Sequence, residues 1–215
     1  MGTLLELEDP APRLVALLAE RHGLEVPLAV ARRAFAREIA YYRAHHLEGR
    51  DRQTLTSLRR RCAQALGEGL GSAAAGLSVD QLAELLLASL RFRLFPETLA
   101  VVAQLRNRGI SLGVVSNWDI SLEDRLAELG LTPYLQAVVS SAAAGAAKPD
   151  PQPFALALQR LGREAGETLH LGDSPEEDLA GAAAAGIRAV LIDRSATRPG
   201  ALRSLVGVLD LLQPS

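Results

Sequence analysis

The sequence contains very little cysteine and few aromatic side chains. Its 215 residues include one cysteine, Cys62, and aromatic residues make up only 4% of the chain. A single cysteine excludes an intrachain disulfide and is typical of a reducing compartment, so we expect a cytoplasmic protein. Because 48% of the residues are hydrophobic and so few are aromatic, the core must be built from alanine, leucine and valine.

The chain also lacks an excess of positive charge and any long apolar run. Its formal net charge is −2, whereas a general nucleic-acid-binding protein is usually strongly basic. No apolar run reaches the ~18 residues that a membrane-spanning helix needs. We therefore expect a globular protein that binds neither nucleic acid nor a membrane.

The apolar residues show two different spacing patterns along the chain. Residues 11–93 show helical spacing, as in Leu14, Leu17 and Leu18, and predict helices over 32–47 and 53–66, followed by a loop over 67–76. After Pro96, short apolar runs alternate with helical segments. Strands are predicted at 110–115, 137–140, 168–171 and 187–192, and helices at 97–108, 122–129, 154–161 and 178–185.

This alternation predicts an α/β fold with a parallel sheet and helices on both of its faces. Several predicted helices end at a glycine, because glycine adopts the left-handed backbone conformation that often ends a helix at little cost in free energy. We assign residues 1–10 and 94–215 to the α/β core and residues 11–93 to a helical domain. Ligands of such sheets bind at the carboxyl ends of the strands, which here are the loops after Val115, Ser140 and Leu171.

Lys148 is the only lysine, although lysine and arginine together number 23. An ammonium is a compact point charge and a guanidinium is a planar fork, so a site shaped for one does not accept the other. Lys148 precedes Pro149-Asp150-Pro151, a rigid turn entering a helix, which would fix the direction of the charge. The pattern indicates a specific function for this ammonium.

Two other strand ends carry polar residues. Ser116 and Asn117 follow the first predicted strand of the α/β half, and a hydroxyl with backbone N–H groups suits a phosphoryl oxygen. Asp173 and Asp178 follow the third strand and offer the hard oxygen ligands that Mg²⁺ prefers. Between them, Ser174 is predicted to cap the next helix and Glu177 to complete a capping box. Together these loops supply a hydroxyl, an ammonium and two carboxylates, which suits phosphoryl transfer.

The order Ser116-Asn117, Lys148-Pro149 and Gly172-Asp173 through Asp178 resembles motifs two to four of the haloacid dehalogenase-like (HAD) hydrolase superfamily. The resemblance implies a Rossmann-like parallel-sheet core with an inserted α-helical cap. It also implies a phosphatase that uses Mg²⁺ and acts on a small phosphorylated substrate. Ser116, Asn117 and Lys148 would then bind the phosphoryl group, with Ser116 and Lys148 catalytic, and Asp173 and Asp178 would bind the metal.

The first motif of that family, a strand followed by Asp-x-Asp-Gly-Thr-Leu, is only partly present. Gly2, Thr3 and Leu4 match its end, so the nucleophilic aspartate and its strand would precede Met1. Asp9 and Asp119 are poor substitutes, since Asp9 lies in a turn and Asp119 suits a helix cap. Because the family's first strand is central in the sheet, we expect that the chain is truncated and, as it stands, inactive.

Two alternatives remain open at this point. A 2-haloacid dehalogenase uses the same aspartate ester chemistry without a metal, although the carboxylate pair Asp173 and Asp178 favours the metal-dependent phosphatase. A catalytically inactive binding or regulatory protein would keep the phosphate site without turnover.

Overall fold

The computed structural model describes residues 2–212, which divide into two compact units. Residues 2–6 and 93–212 belong to one unit, called the α/β unit below, and Leu7–Phe92 form the other, called the helical unit. Within residues 2–212, no helix combines the length and apolar character needed to cross a membrane.

The helical unit consists of α1 (Ala11–His22), α2 (Leu28–His45), α3 (Arg52–Leu70) and α4 (Val79–Ser89). Aspartate and serine side chains begin α3 and α4, where Asp51 and Ser78 each form a reciprocal capping box. The core is aliphatic, as predicted. Its fully buried side chains include Leu14, Leu18, Leu58, Leu66 and Leu85.

The predicted loop over 67–76 begins too early, because α3 continues to Leu70. The first two glycines of that stretch permit close packing between helices instead of a turn. A Cβ atom on Gly69 would lie 2.5 Å from the Cα of Ala34 on α2, and one on Gly67 would lie 2.7 Å from Leu82 on α4. Glycine is therefore required at residue 69 by its neighbour rather than by its own backbone conformation.

The α/β unit alternates strands and helices, as the sequence predicts. Its strands are β3 (Gly113–Ser116), β4 (Ala137–Ser140), β5 (Leu169–Gly172) and β6 (Arg188–Leu191). Its helices are α5 (Thr98–Asn107), α6 (Leu122–Glu128), α7 (Ser141–Ala144), α8 (Gln152–Leu161), α9 (Ala180–Ala184) and α10 (Val208–Leu211). Two short strands that the sequence pattern does not predict, β1 (Leu5–Leu7) and β2 (Phe92–Leu94), pair with each other.

Most predicted boundaries in this unit agree with the structure to within a few residues. The largest differences are at β3, which starts three residues later than predicted, and at the predicted helix 178–185. The latter begins earlier, with a π-helical turn over Pro175–Leu179 that leads into α9. The glycines that end the predicted helices do adopt positive φ angles, for example +77° at Gly109 and +61° at Gly162.

The four strands form two separate parallel pairs. β3 pairs with β4, with Val115 opposite Val139, and β5 pairs with β6, with Leu171 opposite Val190. Helices pack on both faces: Leu169 and Leu171 contact the apolar cluster of α5 and α10, whereas Val115 contacts the clusters that include α8. This arrangement is the parallel α/β architecture that the sequence predicts.

A cavity of about 500 Å³ in the α/β unit is lined by β3 and β5. Its lining includes every residue of β3 and most of β5, and no residue of β4 or β6. The side chains of Val114 and Val115 are only half-buried, whereas Val139 on the neighbouring β4 is fully buried. The absence of a central strand stays a prediction.

Candidate functional site

Lys148 lies between α7 and α8 in a cis Lys148–Pro149 peptide, and its side chain is 9% exposed. The Nζ atom forms an ion pair with the carboxylate of Asp178 and donates a hydrogen bond to the carbonyl of Val115 at 3.2 Å. A buried ammonium requires such partners, because an unpaired charge in an apolar environment is very costly. The lone lysine is thus held at the carboxyl end of β3.

Asp178 uses both of its carboxylate oxygens within the protein. Oδ2 accepts hydrogen bonds from the backbone N–H groups of Asp173 and Ser174, each at 3.0 Å. Oδ1 forms the ion pair with the Lys148 ammonium and lies 3.2 Å from Nε2 of His170. Burial alone would raise the pKa of Asp178, but His170, the Lys148 ammonium and the hydrogen bonds outweigh burial and hold that pKa well below its usual range.

Gly172 is needed for this arrangement. A Cβ atom at residue 172 would lie 2.2 Å from the side chain of Asp178, closer than any packing allows. The glycine before Asp173 therefore lets the backbone pass under the Asp178 carboxylate. This is a steric reason for the Gly-Asp pair at the end of β5.

The side chain of Asn117 positions the Lys148 loop. Its Oδ1 accepts from the backbone N–H of Lys148 at 2.8 Å, and its Nδ2 donates to the carbonyl of the same residue at 3.0 Å. Nδ2 also donates to Glu177 at 3.1 Å. The sequence predicts only a contact of the Asn117 backbone with phosphate and gives no sign of this link, because it joins residues 31 and 60 positions apart.

The predicted capping box at Ser174 is half formed. Ser174 Oγ does accept from the N–H of Glu177 at 3.1 Å, so Ser174 caps the following turn as expected. The reciprocal bond was predicted wrongly: the N–H of Ser174 is taken by Asp178, and the Glu177 carboxylate accepts from Asn117 instead. The hydrogen bond between Asn117 and Glu177 therefore replaces the local one.

Asp173 is exposed at the end of β5 and meets the beginning of the chain. Thr3 Oγ1 donates a hydrogen bond to Asp173 Oδ1 at 2.9 Å. Gly2 packs so closely that a Cβ atom there would lie 2.5 Å from Asp173 Oδ2. The Gly2-Thr3 segment therefore lies beside Asp173, a residue of the fourth motif.

The other predicted residues have separate positions. Ser116 ends β3 opposite Ser140 and lines the cavity together with Lys148, Asp173 and Asp178. Asp119 is buried and accepts a hydrogen bond from the N–H of Ser121 at 2.8 Å, just before α6. Asp9 accepts from the N–H of Ala11 at the start of α1. Both substitutes for the nucleophile therefore have local structural functions.

Comparison with known proteins gives this arrangement a family. The model of the haloacid dehalogenase-like hydrolases matches residues 1–186. The chain belongs to this HAD-like hydrolase family. A HAD-like hydrolase domain-containing protein 3 of Bos taurus is 32% identical over 204 residues, covering 88% of this chain and 78% of that protein. A phosphoserine phosphatase of Thermus thermophilus is 38% identical over 105 residues, covering 48% of this chain and only 42% of that relative's length.

Solved structures of HAD-like proteins share the fold. A HAD phosphatase from Thermococcus onnurineus superposes with a TM-score of 0.65 at 26% identity, covering 99% of this chain and 94% of the other. A 2-haloacid dehalogenase from Pseudomonas syringae superposes with a TM-score of 0.64, also at 26% identity, covering 95% of this chain and 89% of the other. Overall similarity therefore does not distinguish a phosphatase from a 2-haloacid dehalogenase, and the distinction depends on the site residues.

The donor set of this HAD-like site suits a magnesium ion held by few protein ligands. Within residues 2–212, no three His, Cys, Asp or Glu side chains are grouped in a way that would hold a metal ion. Mg²⁺ commonly binds through one or two carboxylates, completed by water and substrate phosphate. Asp173 fits this chemistry, because its carboxylate is exposed at the carboxyl ends of the strands, whereas Asp178 is already engaged by Lys148 and two N–H groups.

Proposed function

We propose that this HAD-like hydrolase hydrolyses small phosphate esters in two steps through an aspartyl-phosphate. The observation that carries the proposal is the buried Lys148–Asp178 pair beside Asp173 at the carboxyl ends of β3 and β5. A fixed cation and an exposed carboxylate at one sheet edge suit a phosphoryl group and its metal. The phosphatase activities of several relatives support the same substrate class.

Each site residue has a separate proposed role, which follows from its position. Lys148 stabilises charge that develops on the phosphoryl oxygens, and Asp178 with Asn117 keeps that ammonium in place. The Ser116 hydroxyl and the Asn117 backbone N–H donate to phosphoryl oxygens. Asp173, supported by Asp178, is the Mg²⁺ ligand, and the ion, when bound, neutralises phosphate charge. The helical unit Leu7–Phe92 acts as the cap that selects the substrate.

In this proposal the nucleophile is the first aspartate of the family's first motif, whose end Gly2 and Thr3 match, on a strand that pairs between β3 and β5. The cavity lined by both strands supports this assignment, as does the contact of Gly2 with Asp173. In the first step the aspartate of that strand attacks phosphorus and the alcohol leaves. In the second step water attacks the aspartyl-phosphate, releasing phosphate and regenerating the carboxylate.

The test uses the protein extended at its N-terminus by an apolar strand that ends in Asp-x-Asp. We expect Mg²⁺-dependent hydrolysis of p-nitrophenyl phosphate and phosphoserine, and none when the first aspartate is replaced by asparagine. Lys148→Arg in the extended protein should lower kcat/KM at least about 100-fold, because a guanidinium does not fit the pair with Asp178.

Arg33→Lys is the matched control, since Arg33 is exposed on α2 in the helical unit. It exchanges the same two side chains in the opposite direction and should leave activity unchanged. Normal turnover by Lys148→Arg would refute the function assigned to the ammonium.

Dehalogenation of a 2-halo acid is the second candidate, favoured by the equally similar dehalogenase structure. Assays of the same extended protein distinguish dehalogenation from phosphate-ester hydrolysis. Release of chloride from 2-chloropropionate without added Mg²⁺, together with inactivity on phosphate esters, would replace the phosphatase proposal. Binding of a phosphate analogue such as vanadate with no turnover of either substrate would indicate a regulatory protein instead.

A further inference from the structure

A groove in the helical unit is lined by side chains that the proposed reaction does not use. It lies between α2 and α3, has a volume of about 410 Å³, and is lined by Arg37, Tyr41, Arg61, Gln64, Ala65 and Glu68. All six residues belong to the helical unit. We propose that this groove is a binding site for a phosphate-type oxyanion, either free phosphate or the phosphoryl group of a small molecule.

The spacing of the lining residues makes the groove a continuous strip along two helices. The two residues of α2 are four positions apart, and those of α3 follow one another at three, one and three positions. Residues three or four positions apart share one face of a helix. Arg37 forms an ion pair with Glu68 near the end of α3. Tyr41, one turn further along α2, lies near Arg61 instead, so the two helices are antiparallel here and hold the polar groups on rigid elements.

The charges of the groove favour an anion. Its lining carries two guanidinium groups and one carboxylate. That carboxylate belongs to Glu68, which is paired with Arg37, so no lining residue balances the charge of Arg61. The partner of Arg61 is Glu48, which lies on the turn His46–Glu48 outside the lining. The two guanidinium groups therefore repel a cation and attract an oxyanion.

Arg61 also has donor capacity that the protein leaves unused. A guanidinium carries five N–H donors. The Nε atom of Arg61 is shielded from solvent and has no hydrogen-bond partner within residues 2–212, although shielded polar atoms are normally paired. The pKa of Arg61 is held above its usual range, chiefly by its hydrogen bond with Glu48, and the nearby Tyr41 hydroxyl contributes. The side chain thus stays charged and reaches toward α2.

A phosphoryl group matches these donors better than a carboxylate does. Its oxygens are arranged tetrahedrally and can accept from groups on different sides, here the Arg61 guanidinium, the Tyr41 hydroxyl and the Gln64 carboxamide. A carboxylate has two oxygens in one plane, which a single guanidinium fork can saturate. The Tyr41 ring stacks on His45 with centroids 4.1 Å apart, which restrains its hydroxyl. The volume of the groove is in the range of small-molecule sites.

The experiment titrates the protein of 215 residues with inorganic phosphate and, separately, with glycerol 3-phosphate, in about 0.15 M NaCl. Backbone amide signals and the side-chain amide signal of Gln64 are followed by NMR. The signals of the groove residues should shift with one common Kd below about 1 mM. Equal affinity for both probes would identify free phosphate as the ligand, and tighter binding of glycerol 3-phosphate would identify the phosphoryl group of a small molecule.

Two pairs of variants test the residues of the groove. Arg61→Gln should weaken binding at least about tenfold, whereas Arg43→Gln, at an exposed position of α2 outside the lining, should not. Glu68→Gln should tighten binding at least about threefold, because it removes the carboxylate that competes for Arg37 in an exposed ion pair of low strength. Glu20→Gln on α1 changes the net charge equally and should have no effect. Loss of folding cannot produce the gain expected of Glu68→Gln.

The outcome is separable from the proposed function. Lys148→Gln changes the strand-end site and should leave the shifts of the groove signals as they are. Shifts confined to Ser116 and Asn117 would overturn the groove site and agree with the proposed function. Shifts confined to the groove would support the groove site and speak against phosphate binding at the strand ends. A Kd above about 1 mM, or equal weakening by Arg61→Gln and Arg43→Gln, would mean non-specific attraction and would overturn the proposal.

Discussion

Arg194 fixes the beginning of the chain next to the site. Its Nε and one terminal nitrogen donate to the carbonyls of Gly2 and Thr3 at 2.9 and 2.8 Å, and the other nitrogen binds Glu97 at 2.8 Å. The guanidinium lies 3.4 Å from the ring centroid of Phe95. A planar guanidinium can form all of these hydrogen bonds and also stack on an aromatic ring. A lysine ammonium would retain only some of these contacts.

We therefore expect Arg194→Lys to lower the free energy of unfolding by about 1–3 kcal/mol, because hydrogen bonds to a charged donor are lost in a partly buried position. Urea denaturation measures this. Arg203→Lys is the control, since Arg203 is exposed in the same unit. Equal stability of the two variants would show that Arg194 does not anchor Gly2 and Thr3.

Glu38 is a buried carboxyl group in the core of the helical unit, 6% exposed. Burial raises its pKa to about 7, partly offset by a hydrogen bond with Cys62. A raised pKa means that the folded state binds this proton more tightly than the unfolded state does. The free energy of unfolding should therefore fall as pH rises from about 4.5 to about 7, by at most about 3 kcal/mol, and then level off.

Glu38→Gln should remove that decline, because the glutamine is neutral throughout this window. Urea midpoints between pH 4.5 and 8 provide the measurement. Glu20→Gln removes an exposed carboxylate from α1 and should leave the pH dependence as it is. A parallel shift of the whole profile in Glu38→Gln, with its slope retained, would contradict this origin of the slope.

At the scale of single residues, the sequence identified a site residue of a rare type. It did not identify residues whose contacts join positions far apart in the sequence. One lysine among 23 cationic residues pointed to Lys148, and its pairing with Asp178 follows from strand ends meeting at one edge. Arg194 was missed because it is one of many arginines and its backbone partners, Gly2 and Thr3, are more than 190 residues away. Nothing local distinguishes such a residue before the chain folds.

At the scale of elements, the contact of α2 with α3 depends on a glycine. Gly69→Ala would place a Cβ atom 2.5 Å from the Cα of Ala34, and backbone cannot move aside as a flexible side chain does. We expect a loss of about 1–3 kcal/mol, typical of overpacking, although alanine favours a helix more than glycine does.

Gly76→Ala is the matched control, because a Cβ atom there has no neighbour within 4 Å. Thermal unfolding of both variants and the parent protein tests the prediction. A Gly69→Ala protein as stable as the parent would mean that α2 and α3 separate without cost.

The same glycine explains why this helix boundary was predicted wrongly. Four glycines over 67–76 have the composition of a loop, but Gly67 and Gly69 lie in α3 since neighbouring helices approach there. Strands were easier: β4 coincides with its predicted range, because its apolar run ends where polar residues begin. β1 and β2 have three residues each, too few to show a periodic pattern.

At the scale of the whole molecule, the two units should differ in local stability. The helical unit has a continuous core with Leu14, Leu18 and Leu66 at 0% exposure. The α/β unit has a cavity of about 500 Å³ beside half-buried β3. Protection from amide exchange follows the cost of local opening, which is low where apolar contacts are few and strand edges are unpaired.

We therefore expect amides in the middle of α2 and α3 to exchange at least about 100-fold more slowly than those of β3 and β5, as measured by mass spectrometry at neutral pH. In the protein extended by an N-terminal strand, protection of β3 and β5 should rise while that of α2 and α3 stays the same. This change would arise because the added strand supplies hydrogen-bond partners and apolar contacts only within the α/β unit. Strong protection of β3 and β5 without the extension would show that the α/β unit is already stable with its two strand pairs apart.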